Sequence, residues 1–150
     1  MCSLKVVMSV KNNKSNFLQL SINSILKQSY QNYELIIVAD GSDQNTLDIL
    51  NDYKNKNNNI KIIKQINMGL AKSLNTAINY SKSDLIIRHD YDDISMPDRF
   101  FNLLNFMDNN KDVVICGSNC LKIDNTNKNI GKIKTYNNSS VIDKKLKYFN

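Results

Sequence analysis

The chain has 150 residues, room for one buried core and too little for two ordinary domains. A hydrophobic share of 41% and a charged share of 23% are those of a globular protein, and no apolar run is long enough to span a bilayer. The formal net charge of +6 comes from scattered lysines without interleaved aromatics. That argues against a nucleic-acid surface and suits an anionic small molecule or an acidic membrane face.

The first residues lack a signal-peptide pattern, because their apolar stretch soon meets the polar Lys11-Asn12-Asn13. Cys2, Cys116 and Cys120 make no paired framework, which points to a reducing, cytoplasmic setting. Cys116 and Cys120 are expected as buried thiols rather than metal ligands.

Short apolar runs alternate with amphipathic stretches along the chain. Residues 4–8 read as a first strand, and residues 17–28 as a helix whose Leu18, Ile22, Ile25 and Leu26 share one face. Ser15 or Asn16 is its expected cap. Residues 35–39 are apolar throughout, as in a parallel strand covered on both faces. Asp40-Gly41-Ser42-Asp43 then turns the chain into a second helix, residues 45–54. A third strand over residues 60–66 leads through Asn67-Met68-Gly69 into a helix over residues 70–81, with Leu70, Leu74, Ala77 and Ile78 expected inside.

A fourth strand, residues 85–89, ends in Asp90-Tyr91-Asp92-Asp93. Pro97 suits the first turn of a fourth helix, where its missing N–H needs no partner, and that helix runs to about residue 109. Residues 113–117 are expected as a fifth strand, 121–124 and 130–136 as a hairpin, and 141–149 as a last helix. Such alternation predicts right-handed βαβ units and a mostly parallel sheet with helices on both faces, an α/β Rossmann-like fold in one domain.

Ligands of an open parallel sheet sit outside the carboxyl ends of its strands. Asp40, Asp90, Asp92 and Asp93 all follow strand ends, so four carboxylates are expected to converge on one edge. They repel one another unless a cation sits among them. Mg²⁺ or Mn²⁺ fits, because each takes one or two carboxylates together with substrate phosphates. No G-x-G-x-x-G and no G-x-x-x-x-G-K-[ST] is present, which excludes a dinucleotide fingerprint and a P-loop.

Three stretches extend these observations into a pattern: Tyr33-Glu34-Leu35-Ile36-Ile37-Val38-Ala39-Asp40-Gly41-Ser42, then Asn67-x-Gly69-Leu70-Ala71-x-Ser73-Leu74-Asn75, then Arg88-His89-Asp90-Tyr91-Asp92-Asp93 through Pro97-Asp98-Arg99. With Ser24 to Tyr30 ahead of them, they resemble family 2 glycosyltransferases of the GT-A fold from residue 4 to about residue 120. The resemblance implies an inverting transfer from a nucleoside diphosphate sugar, often a UDP-sugar, with Mn²⁺ or Mg²⁺. By position, Ser9, Val10 and Lys11 would line the base pocket and Asp40 would hydrogen-bond the base. Asp90, with Tyr91 beside it, would face the ribose, and Asp92 would ligate the metal. Asp93 would support Asp92 or contact the donor sugar. Lys72 and Arg88 are candidates for charge contacts near the donor, and Arg88 is equally a candidate ion-pair partner of an aspartate.

Lys11 stands where the family has an aromatic ring that stacks on the base, and Ala39 where an acidic residue commonly precedes Asp40. His89 reads as packing or hydrogen-bonding support. An inverting transfer also needs a general base. In the family that base lies in the acceptor-binding half, after the aspartate motif. The chain therefore reads as a donor-binding region truncated before that half, with Asp124 and Asp143 as weak substitutes. A non-catalytic nucleotide-sugar-binding module and a nucleotidyltransferase are the competing classes.

Overall fold

The computed structural model describes residues 4–13, 16–124, 126, 128–136 and 140–142. In chain order the elements are β1 (Leu4–Val10), α1 (Phe17–Leu26), β2 (Tyr33–Asp40), α2 (Gln44–Lys56), β3 (Ile60–Gln65), α3 (Leu70–Ser81), β4 (Ile86–Arg88), α4 (Arg99–Asn109), β5 (Cys120–Ile123) and β6 (Asn129–Ile133). Two compact units result, Met1–Phe101 and Asn102–Asn150, with the division falling inside α4.

The first unit is built on a four-stranded sheet in the order β3-β2-β1-β4, parallel throughout, as the sequence predicts. β1 and β2 are its interior strands. Their runs Val6-Val7-Met8 and Leu35 to Ala39 are sealed from solvent on both faces, which is why they carry no polar alternation. On one face Val7, Ile36 and Val38 meet Ala77 of α3, with Ile63, Leu74 and Ile86 around them. α1 buries Leu18, Ile22 and Ile25, and Tyr33 donates its hydroxyl to the Ile25 carbonyl at 2.8 Å. Tyr33 and Phe100 meet edge to face with ring centroids 5.5 Å apart.

α3 has the predicted bounds and part of the predicted face: Ala77 is buried and Leu74 packs against the core, but the other two residues expected inside are not. Its inward residues are Ser73, Ala77 and Ser81, whereas Leu70 and Ile78 are 52% and 40% exposed. Small residues at every fourth position let the helix lie close to the sheet, and close approach excludes the larger side chains from the contact. α1 ends at Leu26 rather than Gln28, because Gln28 turns inward. Its amide donates to the Ser24 and Met96 carbonyls (3.1 and 2.8 Å) and its oxygen accepts from the Phe100 N–H at 3.0 Å. Of the two expected caps, Ser15 lies outside the described residues and Asn16 makes no side-chain capping bond. Asp43 caps α2 by accepting from the Thr46 N–H at 2.9 Å. Pro97 lies in the turn before α4 rather than within its first turn.

The second unit contains the expected hairpin, β5 against β6, antiparallel with an irregularity between Lys122 and Ile123. The strand expected over residues 113–117 is absent. A strand needs a ladder partner, and among the described residues none pairs with this run, leaving Val114 and Ile115 86% and 85% exposed. Cys116 is half-buried and Cys120 exposed, so the expectation of two buried thiols fails with it. Most of the expected last helix lies outside the described residues, as do Cys2 and Asp143. No helix among the described residues is long and apolar enough to cross a membrane.

Candidate active site

Four parallel strands bring their carboxyl ends to one edge of the sheet. Lys11 leaves β1 there, Gly41 leaves β2, residues 66–69 leave β3, and His89 to Asp93 leave β4. The candidate residues gather on this edge, Lys72 among them as an exposed side chain on the first turn of α3. A groove between α1 and α2, lined by Gln19, Asn23, Asp48, Asp52 and Tyr53 among others, contains none of them.

Asp40 closes β2 and is only 3% exposed. Its Oδ1 accepts from the Gln65 amide and the Met68 N–H, both at 2.8 Å, and its Oδ2 accepts from the Gly69 N–H at 2.9 Å. The Asn67 amide, oriented to satisfy both neighbours, donates to Asp40 Oδ2 and accepts from Lys11 Nζ, each at 3.2 Å. Burial alone would raise the Asp40 pKa, but the donors from Met68, Gln65, Gly69 and Ser73 outweigh it and hold the carboxyl below its ordinary value. Gly41 makes this closeness possible. Its φ is +67°, and a Cβ there would stand 2.8 Å from Asn67 Cβ. The Val10 side chain is buried and its carbonyl accepts from Ser42 Oγ at 3.0 Å, while Ser9 is half-buried within β1. Lys11 alone of these three presents an exposed side chain.

The second cluster follows β4. Arg88 grips Asp90 with two parallel bonds, Nε to Oδ1 at 3.0 Å and Nη2 to Oδ2 at 2.9 Å, so Arg88 takes the ion-pair role. Between them His89 points inward, 4% exposed, with Nε2 3.0 Å from Ser21 Oγ and Nδ1 3.2 Å from Ser95 Oγ. Burial first, then the Arg99 charge, lowers its pKa to about 4, against weaker raising by Asp93 and Asp90. His89 is therefore the hydrogen-bonding support expected of it. Ser21 also donates to the Asp90 carbonyl at 3.1 Å, and the Asp93 N–H closes the turn on the same carbonyl at 3.2 Å. Tyr91 and Asp92 form the tip, Tyr91 half-buried and Asp92 exposed. Partial burial, then the Asp90 and Asp92 charges, raises the Asp93 pKa, against Arg99 and Arg88.

The four carboxylates do not form one cluster. Among the described residues no three His, Cys, Asp or Glu side chains make a group that could hold a metal ion. Asp40 turns to its own loop, where backbone N–H groups satisfy its charged oxygens, and Arg88 pairs with Asp90. The residues still fit Mg²⁺ or Mn²⁺ in the manner of one or two carboxylates with substrate phosphates. Asp92 is an exposed hard-oxygen donor, and the repulsion that Asp93 feels from Asp90 and Asp92 marks residual negative charge at the tip. Sequence reasoning does not single out Gln65, Asn67, Ser73, Ser21 or Ser95 as site residues. The Asn67-x-Gly69 turn was the available signal for the first group, since such a turn exposes N–H groups that a carboxylate can gather.

Comparison with known proteins shows the family and the fold. Residues 5–149 match the model of "Glycosyl transferase family 2", and the chain belongs to that family. It is 35% identical over 123 residues to "Putative glycosyltransferase EpsE" of Bacillus subtilis, covering 81% of this chain and 44% of that protein. It is 39% identical over 103 residues to the "UDP-Gal:alpha-D-GlcNAc-diphosphoundecaprenol beta-1,3-galactosyltransferase" of Escherichia coli, covering 68% of this chain and 38% of that protein. Residues 1–349 of S. aureus TarS share the fold with a TM-score of 0.65 at 25% identity, over 73% of this chain and 33% of that one. That TarS fragment has also been solved with UDP and with UDP-GlcNAc. The chain spans less than half the length of either curated relative.

Proposed function

We infer that the chain forms the donor-binding part of an inverting, metal-dependent glycosyltransferase that takes a nucleoside diphosphate sugar, in the first instance a UDP-sugar. The observation that carries this reading is the loop after β4, where Arg88, His89 and Ser21 fix the backbone so that Asp92 stands exposed at the carboxyl edge. The UDP and UDP-GlcNAc bound by TarS support the donor class. In this reading Ser9, Val10 and Lys11 with Asp40 form the base end of the site, and Asp90 and Tyr91 lie toward the ribose. Lys72 draws the diphosphate, Arg88 and Asp93 lie toward the sugar, and Asp92 holds Mn²⁺ or Mg²⁺. The metal supplies Lewis-acid stabilisation of charge on the departing diphosphate.

The general base is assigned to polypeptide beyond these 150 residues. Support comes from the share of the relatives that the chain spans, and from Asp124, whose Oδ1 accepts from Thr126 and Lys128, which hold its pKa below the ordinary value. The cytoplasmic setting expected from the cysteines goes with the same reading. Calorimetric titration with UDP, with and without Mn²⁺, tests it in the wild type and in Asp92→Ala. Binding that needs both the metal and Asp92 is expected. Metal-independent binding that survives Asp92→Ala would overturn it, and fast sugar transfer by residues 1–150 alone would overturn the assignment of the base.

A further inference from the structure

The polar groups buried behind the loop after β4 share their protons in one direction. Arg99 has donors and no acceptor, and its Nη1 stands 3.3 Å from Ser95 Oγ. Ser95 therefore accepts from Arg99 and keeps its own hydrogen for His89 Nδ1, 3.2 Å away. At the other end a carbonyl oxygen can only accept, so Ser21 Oγ gives its hydrogen to the Asp90 carbonyl at 3.1 Å. Ser21 is then an acceptor toward His89 Nε2 at 3.0 Å, which places the ring proton on Nε2. The opposite tautomer would turn the Ser21 hydrogen to the ring and take it from that carbonyl. Where the relay ends, the Asp90 carbonyl also accepts from the Asp93 N–H at 3.2 Å, so both of its lone pairs are filled and the turn that carries Asp92 is closed from behind. Helix α1 holds the far side as well. Ser24 Oγ accepts from the Ser95 N–H at 2.9 Å and donates to the Ser21 carbonyl at 2.7 Å.

We propose that Ser21, His89 and Ser95 are positioning residues: their relay, fed by Arg99, fixes the turn from Asp90 to Asp93 and through it the aim of Asp92 at the metal. The role rests on the donor-site reading above, which gives Asp92 to Mn²⁺ or Mg²⁺, and adds the groups that orient it. They act through the Asp90 carbonyl rather than on the donor itself. Groups behind a metal ligand set affinity by holding that ligand in one orientation. All three side chains are buried, so water does not stand in for a missing member. A cluster that served packing alone would need neither a defined ring tautomer nor any link to binding of the metal-bound nucleotide, which separates the two roles.

Nitrogen NMR of the full chain reads the tautomer directly, because His89 is the single histidine. Near neutral pH the proton is expected on Nε2. Calorimetry with UDP in excess Mn²⁺ then compares the wild type with Ser21→Ala, His89→Leu and His89→Gln. Tyr33→Phe is the structural control, since it deletes a buried bond of the same kind, to the Ile25 carbonyl, away from the loop. Ser21→Ala and His89→Leu are expected to weaken UDP binding about fivefold or more, the loss of one oriented hydrogen bond. His89→Gln offers a donor and an acceptor and is expected to stay within about twofold of the wild type, as is Tyr33→Phe. A proton on Nδ1, or a Ser21→Ala protein that binds as tightly as Tyr33→Phe, overturns the relay and leaves the donor site standing. The tautomer is read on the wild type, so the proposal can be refuted even if Ser21→Ala fails to fold. If the wild type binds no UDP with Mn²⁺, the donor-site reading falls and the positioning role with it, whichever nitrogen holds the proton.

Discussion

Acidification is expected to destabilise this protein through His89. Its pKa is about 4 in the folded chain and near 6.5 in an unfolded one, because burial among Ser21, Ser95 and the β1–β4 core disfavours the imidazolium. Between these values the unfolded state takes up a proton that the folded state refuses, so stability falls as pH falls. The two pKa values give a loss of about 2 kcal/mol between pH 7.5 and pH 5, approaching about 3 kcal/mol below pH 4. Urea unfolding at pH 7.5, 6 and 5 measures it, with His89→Gln as the reference. Glutamine can bond both serine hydroxyls but does not titrate. Asp40, whose depressed pKa also removes stability on acidification, acts below the ordinary carboxylate range and is common to both proteins. The wild type should therefore lose about 2 kcal/mol more than the variant over this interval. Parallel losses in the two proteins would refute the reasoning.

Gly41→Ala forces a Cβ to within 2.8 Å of Asn67 Cβ and 2.9 Å of its backbone nitrogen at a φ of +67°. A cost of about 2 kcal/mol or more is expected, read as a Tm lowered by roughly 5 °C. Gln28→Ala leaves the Phe100 N–H and the Met96 carbonyl without their side-chain partner, and chemical unfolding should show a loss of about 2–4 kcal/mol.

The interior strands of the parallel sheet were legible because full burial on both faces writes itself as an apolar run, as in Leu35-Ile36-Ile37-Val38-Ala39. α3 was legible as a helix but only in part in its orientation: Leu74 and Ala77 turn to the core as expected, Leu70 and Ile78 do not. Hydropathy ranks Leu70 and Ile78 above Ser73 and Ser81, while the contact with the sheet is decided by how near the backbone can come. Residues 113–117 failed for a different reason: β-propensity names a segment fit to pair, and pairing depends on a partner. At the site, the aspartates after β4 stood out as a run in the sequence. The ties among Lys11, Asp40 and Asn67 did not, since they join three loops far apart in the chain and run partly to backbone N–H groups that every residue carries.

The end of β4 sets the phase of everything beyond it. His89 still donates its backbone N–H to the Val7 carbonyl at 3.0 Å, so the extended strand geometry carries past Arg88. Side chains there alternate outward, inward, outward: Arg88 exposed, His89 sealed, Asp90 half-buried and turned back out onto Arg88. Deleting or inserting a single residue within β4 would exchange the two sides, sending a carboxylate into the space that holds an uncharged imidazole and ejecting the imidazole. The span from Ile86 to Asp90 is thus a parity-locked count, able to vary in sequence but not by one in length.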